Sequence, residues 1–211
     1  MDIDLSEFCN NKGNELVTLY SRPDFVKIKE KHGSIIWSRG SASSTIKQVK
    51  TQTIVNRSAD AVFEFMKDRK NQKLIERSVT ELETLREEEV PAHDKVRVVR
   101  TVYQLKFPLS DRESVVCLFD GKDKVEGKDC RYLAAASVPI KTVLDPKHVL
   151  AEVIVSGHVI VPINDKMCKI STIAHVNPHG RIPKFLVNWA AEHRLSSITH
   201  LKQLLESKIP E

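Results

Sequence analysis

No stretch of this chain approaches the roughly 20 consecutive apolar residues that a membrane-crossing helix requires. Its acidic opening, MDIDLSEFCNNK, also lacks the apolar centre of a secretory leader. A cytoplasmic protein is therefore expected. Aromatics are sparse, at 6%, and no long run of lysine and arginine occurs, so a base-stacking platform for nucleic acid is not supported. With only 7 glycines and 9 prolines in 211 residues, no linker or low-complexity segment divides the chain, and one domain over 1–211 is expected. Cys9, Cys117, Cys130 and Cys168 are far apart and form no CxxC pair. That spacing argues against a zinc site or a disulfide frame and for reduced thiols buried mostly in strands. No cofactor motif appears, and no histidine stands at a metal-ligand spacing from another ligand. Cys117 lacks a local catalytic signature.

What remains is an ordinary globular composition, 41% hydrophobic and 29% charged, with a net charge of +5. The basic excess reads either as a mixed, solvated surface or as attraction to anionic membranes. The spacing of Leu5, Phe8, Leu16, Leu19 and Tyr20 predicts a helix over 5–20, with a break near Gly13. Two short strands follow around Gly33 and a third over 46–55, where β-branched residues concentrate. Ser58 can cap a helix carrying Ala61, Val62, Phe65 and Met66, and a second short helix continues from it. From Ser78 onward the pattern is strands. In 149–161 the odd positions are wholly apolar and the even ones mixed, as in a strand with one buried face.

The longest helical pattern lies in 177–205. Asn177, Pro178 and Gly180 make a turn and Pro183 suits a first helical turn. Phe185, Leu186, Trp189, Ala190, Leu195, Ile198, Leu201 and Leu205 then recur at three- and four-residue steps. The fold class expected is α+β: a curved antiparallel sheet of about nine strands wrapped on this C-terminal helix. The closing helix is expected to cover the apolar face of the sheet, with a hollow between them fit for an apolar ligand.

Four runs, SDRESVVCLFDG, SGHVIVP, VNPHG and IPKFLVNWAAEH, resemble the START domain of steroidogenic-acute-regulatory-related lipid transfer proteins. The likeness extends over almost the whole chain and is nearest to the phosphatidylcholine-transfer branch. It implies a helix-grip fold with an internal tunnel for one lipid, no cofactor and no catalysis. The ligand implied is a phospholipid, with a sterol or ceramide as alternative, and contact with membranes is transient and peripheral. In this resemblance Arg112 takes the place of an arginine that contacts lipid phosphate, followed by Glu113 where the family has Asp. Leu74 stands where a tryptophan is usual, and Leu118 where sterol binders have a second arginine.

The candidate lipid-binding residues are Arg112, Tyr103, Tyr132, Val153, Val155, Phe185, Leu186 and Trp189. Arg112 has two accounts, phosphate ligand or structural partner of Glu113 or Glu152. Pro108, Leu109, Ser110 and Asp111 are the candidate gate over the tunnel, and Arg181, Lys184 and Arg194 the candidate membrane-docking cations. An enzyme on a related scaffold would need an acid/base pair inside the cavity, and the apolar face of 149–161 offers none. A lipid sensor signalling to a protein partner is a third class.

Overall fold

Both faces of one sheet are covered by helices, and that double covering is the main feature of the computed structural model, which describes residues 3–41, 44–105, 109–139, 145–180 and 184–210. Helix α1 (Leu5–Ser21) leads to the strands β1 (Val26–Lys31), β2 (Ser34–Ser41) and β3 (Ser44–Val55). Next come α2 (Ala59–Lys67), a 3-10 turn (Arg69–Asn71) and α3 (Gln72–Ile75). The strands β4 (Val79–Glu89), β5 (Lys95–Tyr103), β6 (Arg112–Val125), β7 (Lys128–Ser137), β8 (Val149–Leu150), β9 (Glu152–Asn164) and β10 (Met167–Asn177) then precede α4 (Lys184–Lys208). Among the described residues the sheet is 10-stranded, in the order β1-β2-β3-β10-β9-β7-β6-β5-β4. Its pairings are antiparallel except for the short β8, which lies parallel to β6.

Local signals account for the helix starts. The Asp4 side chain caps α1, accepting from the Ser6 and Glu7 amides at 2.9 and 3.1 Å. Ser58 caps α2 by accepting from the Ala61 amide. The expected break at Gly13 is absent; α1 is continuous, and Gly13 instead leaves room for the Tyr132 hydroxyl, which a Cβ there would strike.

The odd-numbered apolar face of β9 does not meet the C-terminal helix, as expected from sequence, but α1. Val155, Val159 and Val161 pack with Leu16, Val17, Leu19 and Tyr20 of α1 and with Val96, Val98, Val115 and Cys117. On the other face, Leu195, Ile198, Leu201 and Leu205 of α4 pack with Ile36, Val55, Ile160 and Ile170, and with Val62, Phe63 and Met66 of α2. Fully burying each such side chain contributes about 1.5–3 kcal/mol. The end of α4 is also tied by Arg57, whose guanidinium donates to the Glu206 and Ile209 carbonyls at 2.5 and 2.6 Å. These are carbonyls a helix C-terminus leaves without an intrahelical partner. All four cysteines are free and buried. Three sit in strands, and Cys9, on α1, faces Cys117 across 3.7 Å.

Gly157 sets how closely α1 approaches the sheet. A Cβ there would meet the Leu133 carbonyl and lie 2.8 Å from Leu16 Cδ2. Gly157→Ala is therefore expected to lower stability in urea unfolding by about 1–3 kcal/mol, the usual cost of overpacking. An unchanged midpoint would show that α1 does not rest on this strand.

Candidate functional site

On the α4 face, but to the side of α4, the sheet borders a cavity of about 220 Å³. Its floor is β5, β6, β7 and β9, and among the described residues its roof comes from α2 and α3. Met66, Ile75, Val79, Leu82, Leu118 and Leu133 give apolar walls. The strand face turned to it is the mixed, even-numbered one of β9, through Ser156 and His158. Sequence reading assigned the hollow to the wholly apolar face; since α1 covers that face, the cavity is more polar than expected.

Polar side chains define its chemistry. Tyr103, His158 and Glu76 line the cavity directly. His158 Nδ1 shares a hydrogen bond of 2.9 Å with Thr172 Oγ1, and burial, opposed by the Glu76 charge, pushes its pKa down to about 4. Burial likewise raises the Tyr103 phenol, against the neighbouring Thr101 and Ser114 hydroxyls. Tyr103 and His158 nevertheless keep some accessible surface. Both side chains face the cavity, and desolvation there disfavours their charged forms. Arg194 of α4 carries the same pair of signs: it is partly accessible, and burial lowers its pKa against the pull of Glu76. It sits one turn before Ile198, a residue of the α4–sheet core. Two buried polar atoms of the lining, Arg97 Nη1 and Gln72 Oε1, have no hydrogen-bond partner.

Arg112, the expected phosphate ligand, is occupied otherwise. Its side chain is 5% exposed and donates to the carbonyls of Pro178 (2.7 Å), Ser110 (2.5 Å) and His179 (3.1 Å). It thus joins the segment before β6 to the turn before α4. Neither carboxylate partner considered from sequence is used. Glu152 lies near His179, at 3.7 Å. Glu113 points to the other face and is fully buried. It accepts from Arg100 Nε, contacts His148 Nδ1 at 2.9 Å and accepts from the Asp145 amide at 3.2 Å. Burial pushes this carboxyl up, but those three partners together hold it below its ordinary range.

The other candidates fall on both faces. Tyr132 packs beneath α1, edge-on to Phe119 at 6.4 Å, and burial raises its pKa to about 12. Val155 lies in that α1 core too. Val153 belongs to the cavity face instead, grouped with Val99, Val116, Leu118 and Ala135. A register shift explains the split, because Val155 pairs with His175 whereas Val153 pairs with Val176. The one described ring cluster suited to a cation, Tyr20, Phe25 and Trp37, lies around Lys50 at 5.7, 4.8 and 5.4 Å, so the protein's own ammonium fills it. Of the gate, Asp111 accepts from the Leu105 amide at 2.9 Å and from the Val149 amide at 3.0 Å. Leu109 and Ser110 are described beside it. Pro108 and Arg181, and the side chains of Lys184, Phe185, Leu186 and Trp189, lie outside the described residues.

Arg97, Gln72 and Glu76 were not picked out from sequence, for charged residues on strands and short helices usually face water. Ser156 and His158 were visible as polar members of the mixed strand face. Among the described residues no group of His, Cys, Asp and Glu could hold a metal ion, and no helix is long and apolar enough to cross a membrane.

A sheet gripping a C-terminal helix, with a cavity beside it, defines the helix-grip class. A model of the START domain family matches residues 22–203, and the chain belongs to that family. The fold is similar to human StAR-related lipid transfer protein 5, at TM-score 0.79 and 16% identity over 96% of this chain and 95% of that one. It is also similar to human STARD10, at TM-score 0.73 and 16% identity over 99% and 81%. A STAR-related lipid transfer protein from Xanthomonas axonopodis aligns at TM-score 0.68 and 19% identity over 86% and 98%. At such identities the likeness is one of fold. No curated protein sequence matches.

Two outcomes are expected. Arg112→Leu removes three part-buried, charge-assisted hydrogen bonds to carbonyls and should lower stability in urea by about 2–4 kcal/mol, with Arg112→Lys restoring part; a stable Arg112→Leu would free Arg112 for a ligand role. His158 is held neutral in the fold, whereas in the unfolded chain it takes up a proton below its ordinary value of 6.5. Stability should therefore fall as pH drops from about 6.5 towards about 4, by about 1.4 kcal/mol per pKa unit of difference. His158→Leu should flatten that part of the profile.

Proposed function

We propose that this protein binds one lipid in the cavity and carries it between membranes without chemical conversion. The reading rests on one observation above the rest: a largely apolar cavity whose lining includes a buried donor, Arg97 Nη1, and a buried acceptor, Gln72 Oε1, both without partners. Buried polar atoms are nearly always paired, so a ligand with an apolar body and a polar head complements this lining. Acyl chains supply affinity at about 0.8 kcal/mol per buried CH₂. A phospholipid is the favoured cargo, its phosphate meeting Arg97, in keeping with the likeness to the phosphatidylcholine-transfer branch. Tyr103 and His158 supply neutral hydrogen-bonding groups beside it.

The cavity of about 220 Å³ is smaller than the roughly 300–1,000 Å³ typical of drug-sized ligand pockets. A two-chain lipid enters only if the covering elements part, and the segment 109–111 with α4 is the gate proposed for that motion. Glu76 and His158 in the cavity are an acid and a base of the kind a hydrolase or cyclase would use. A histidine with its pKa near 4 is a weak base at neutral pH, which favours the carrier.

Native mass spectrometry of the purified chain mixed with phosphatidylcholine vesicles is expected to show one phospholipid per chain. Arg97→Leu should reduce the lipid-bound fraction several-fold with the fold intact by circular dichroism. Loading by sterol or ceramide alone would replace the phospholipid assignment, and failure with all three would end the carrier reading.

A further inference from the structure

A second, basic groove lies on the same face of the sheet at its other edge. A groove of about 700 Å³ runs between β1 and α4, lined by Lys29, Lys31, His32, Arg77, His193 and His200, with no Asp or Glu among its described lining residues. The local structure explains the convergence. Lys29 and Lys31 stand opposite Ile36 and Ser34, and Ile36 is in the core beneath α4. Cross-strand partners share a face, so these lysines point to the α4 side. His193, Ser196, His200 and Gln203 follow one another at three- and four-residue steps, forming one stripe of the helix. Thr199 Oγ1 donates to Ser34 Oγ at 3.2 Å and holds that stripe against β2. His200 Nε2 is buried without a hydrogen-bond partner.

Beside the groove, β1 is exposed along its whole length, with Val26 70% and Ile28 50% exposed. An edge strand normally hides such residues. Cations that can reach phosphate next to aliphatic side chains free to enter an interface are the chemistry of a peripheral membrane contact. Nucleic acid fits less well, because no Phe, Tyr or Trp is among the described lining residues to serve as a stacking platform.

We propose that the β1–α4 groove, with Val26 and Ile28 at its rim, docks the protein on an anionic membrane surface, its cations meeting lipid phosphates. This surface shares no described lining residue with the cavity, so docking and cargo are separable.

Co-sedimentation of the full chain with phosphatidylcholine vesicles, with and without phosphatidylserine, tests this. Wild type should bind the phosphatidylserine vesicles at least about tenfold more tightly, and added salt should erase the difference. Lys29→Glu/Lys31→Glu/Arg77→Glu should lose at least about tenfold, and Lys29→Gln/Lys31→Gln/Arg77→Gln should lose less in the same direction. Val26→Ser/Ile28→Ser should weaken binding to both vesicle types. A control, Lys122→Glu/Lys124→Glu on the β6–β7 hairpin, should stay within about twofold. Native mass spectra of the glutamate variant should still show lipid, which separates loss of docking from loss of cargo binding. Wild-type affinity in both triple variants would overturn the proposal, as would tighter binding to a short single-stranded RNA than to the vesicles.

Discussion

Neither face of this sheet can remain wet, and most of the structure follows from how each is covered. The wholly apolar face of β9 takes α1, which brings Leu16 against Gly157 and leaves no space between them. The mixed face takes α2 and α4, whose apolar residues gather over β2, β3, β9 and β10. Polar groups at Ser156 and His158, and on β5 at Arg97 and Tyr103, stop that packing from closing over the remainder of the sheet. A cavity persists where side chains are too polar to pack as a dry core yet are shielded from bulk water.

This division gives the two arginines of interest different tasks. Arg112 is engaged by three carbonyls and acts as a clasp between the turn before α4 and the segment before β6. Arg97 keeps a buried donor without a partner, which makes it the better phosphate contact in the proposed carrier. Glu113 provides a second clasp on the opposite face, through Arg100, His148 and the Asp145 amide. Both clasps border the segment proposed as the gate, so opening must break charge-assisted hydrogen bonds, each worth about 1.5–3 kcal/mol.

The family and the fold class were legible in the sequence because they rest on periodicity and on contiguous runs. The strand alternation, the cap at Ser58 and the α4 stripe from Leu195 to Leu205 appear where the pattern puts them. The covering of the two faces was not legible, because an apolar strand face states that something buries it and not which helix does so. The site was half legible. A single register shift places Val153 and Val155 on opposite faces although they are two residues apart, and strand alternation alone cannot anticipate that. Arg112 stood out by resemblance, but its carbonyl partners lie in segments distant along the chain.

The central claim is that the ligand occupies the α4 face beneath α2 and α3, and not the α1 face. Photo-crosslinking with a phospholipid bearing a diazirine on its acyl chain tests this directly. The account predicts adducts in the α2–α3 segment, around Met66 and Ile75, and none in α1. Labelling of Leu16 and Val17 without labelling of α2 and α3 would contradict it.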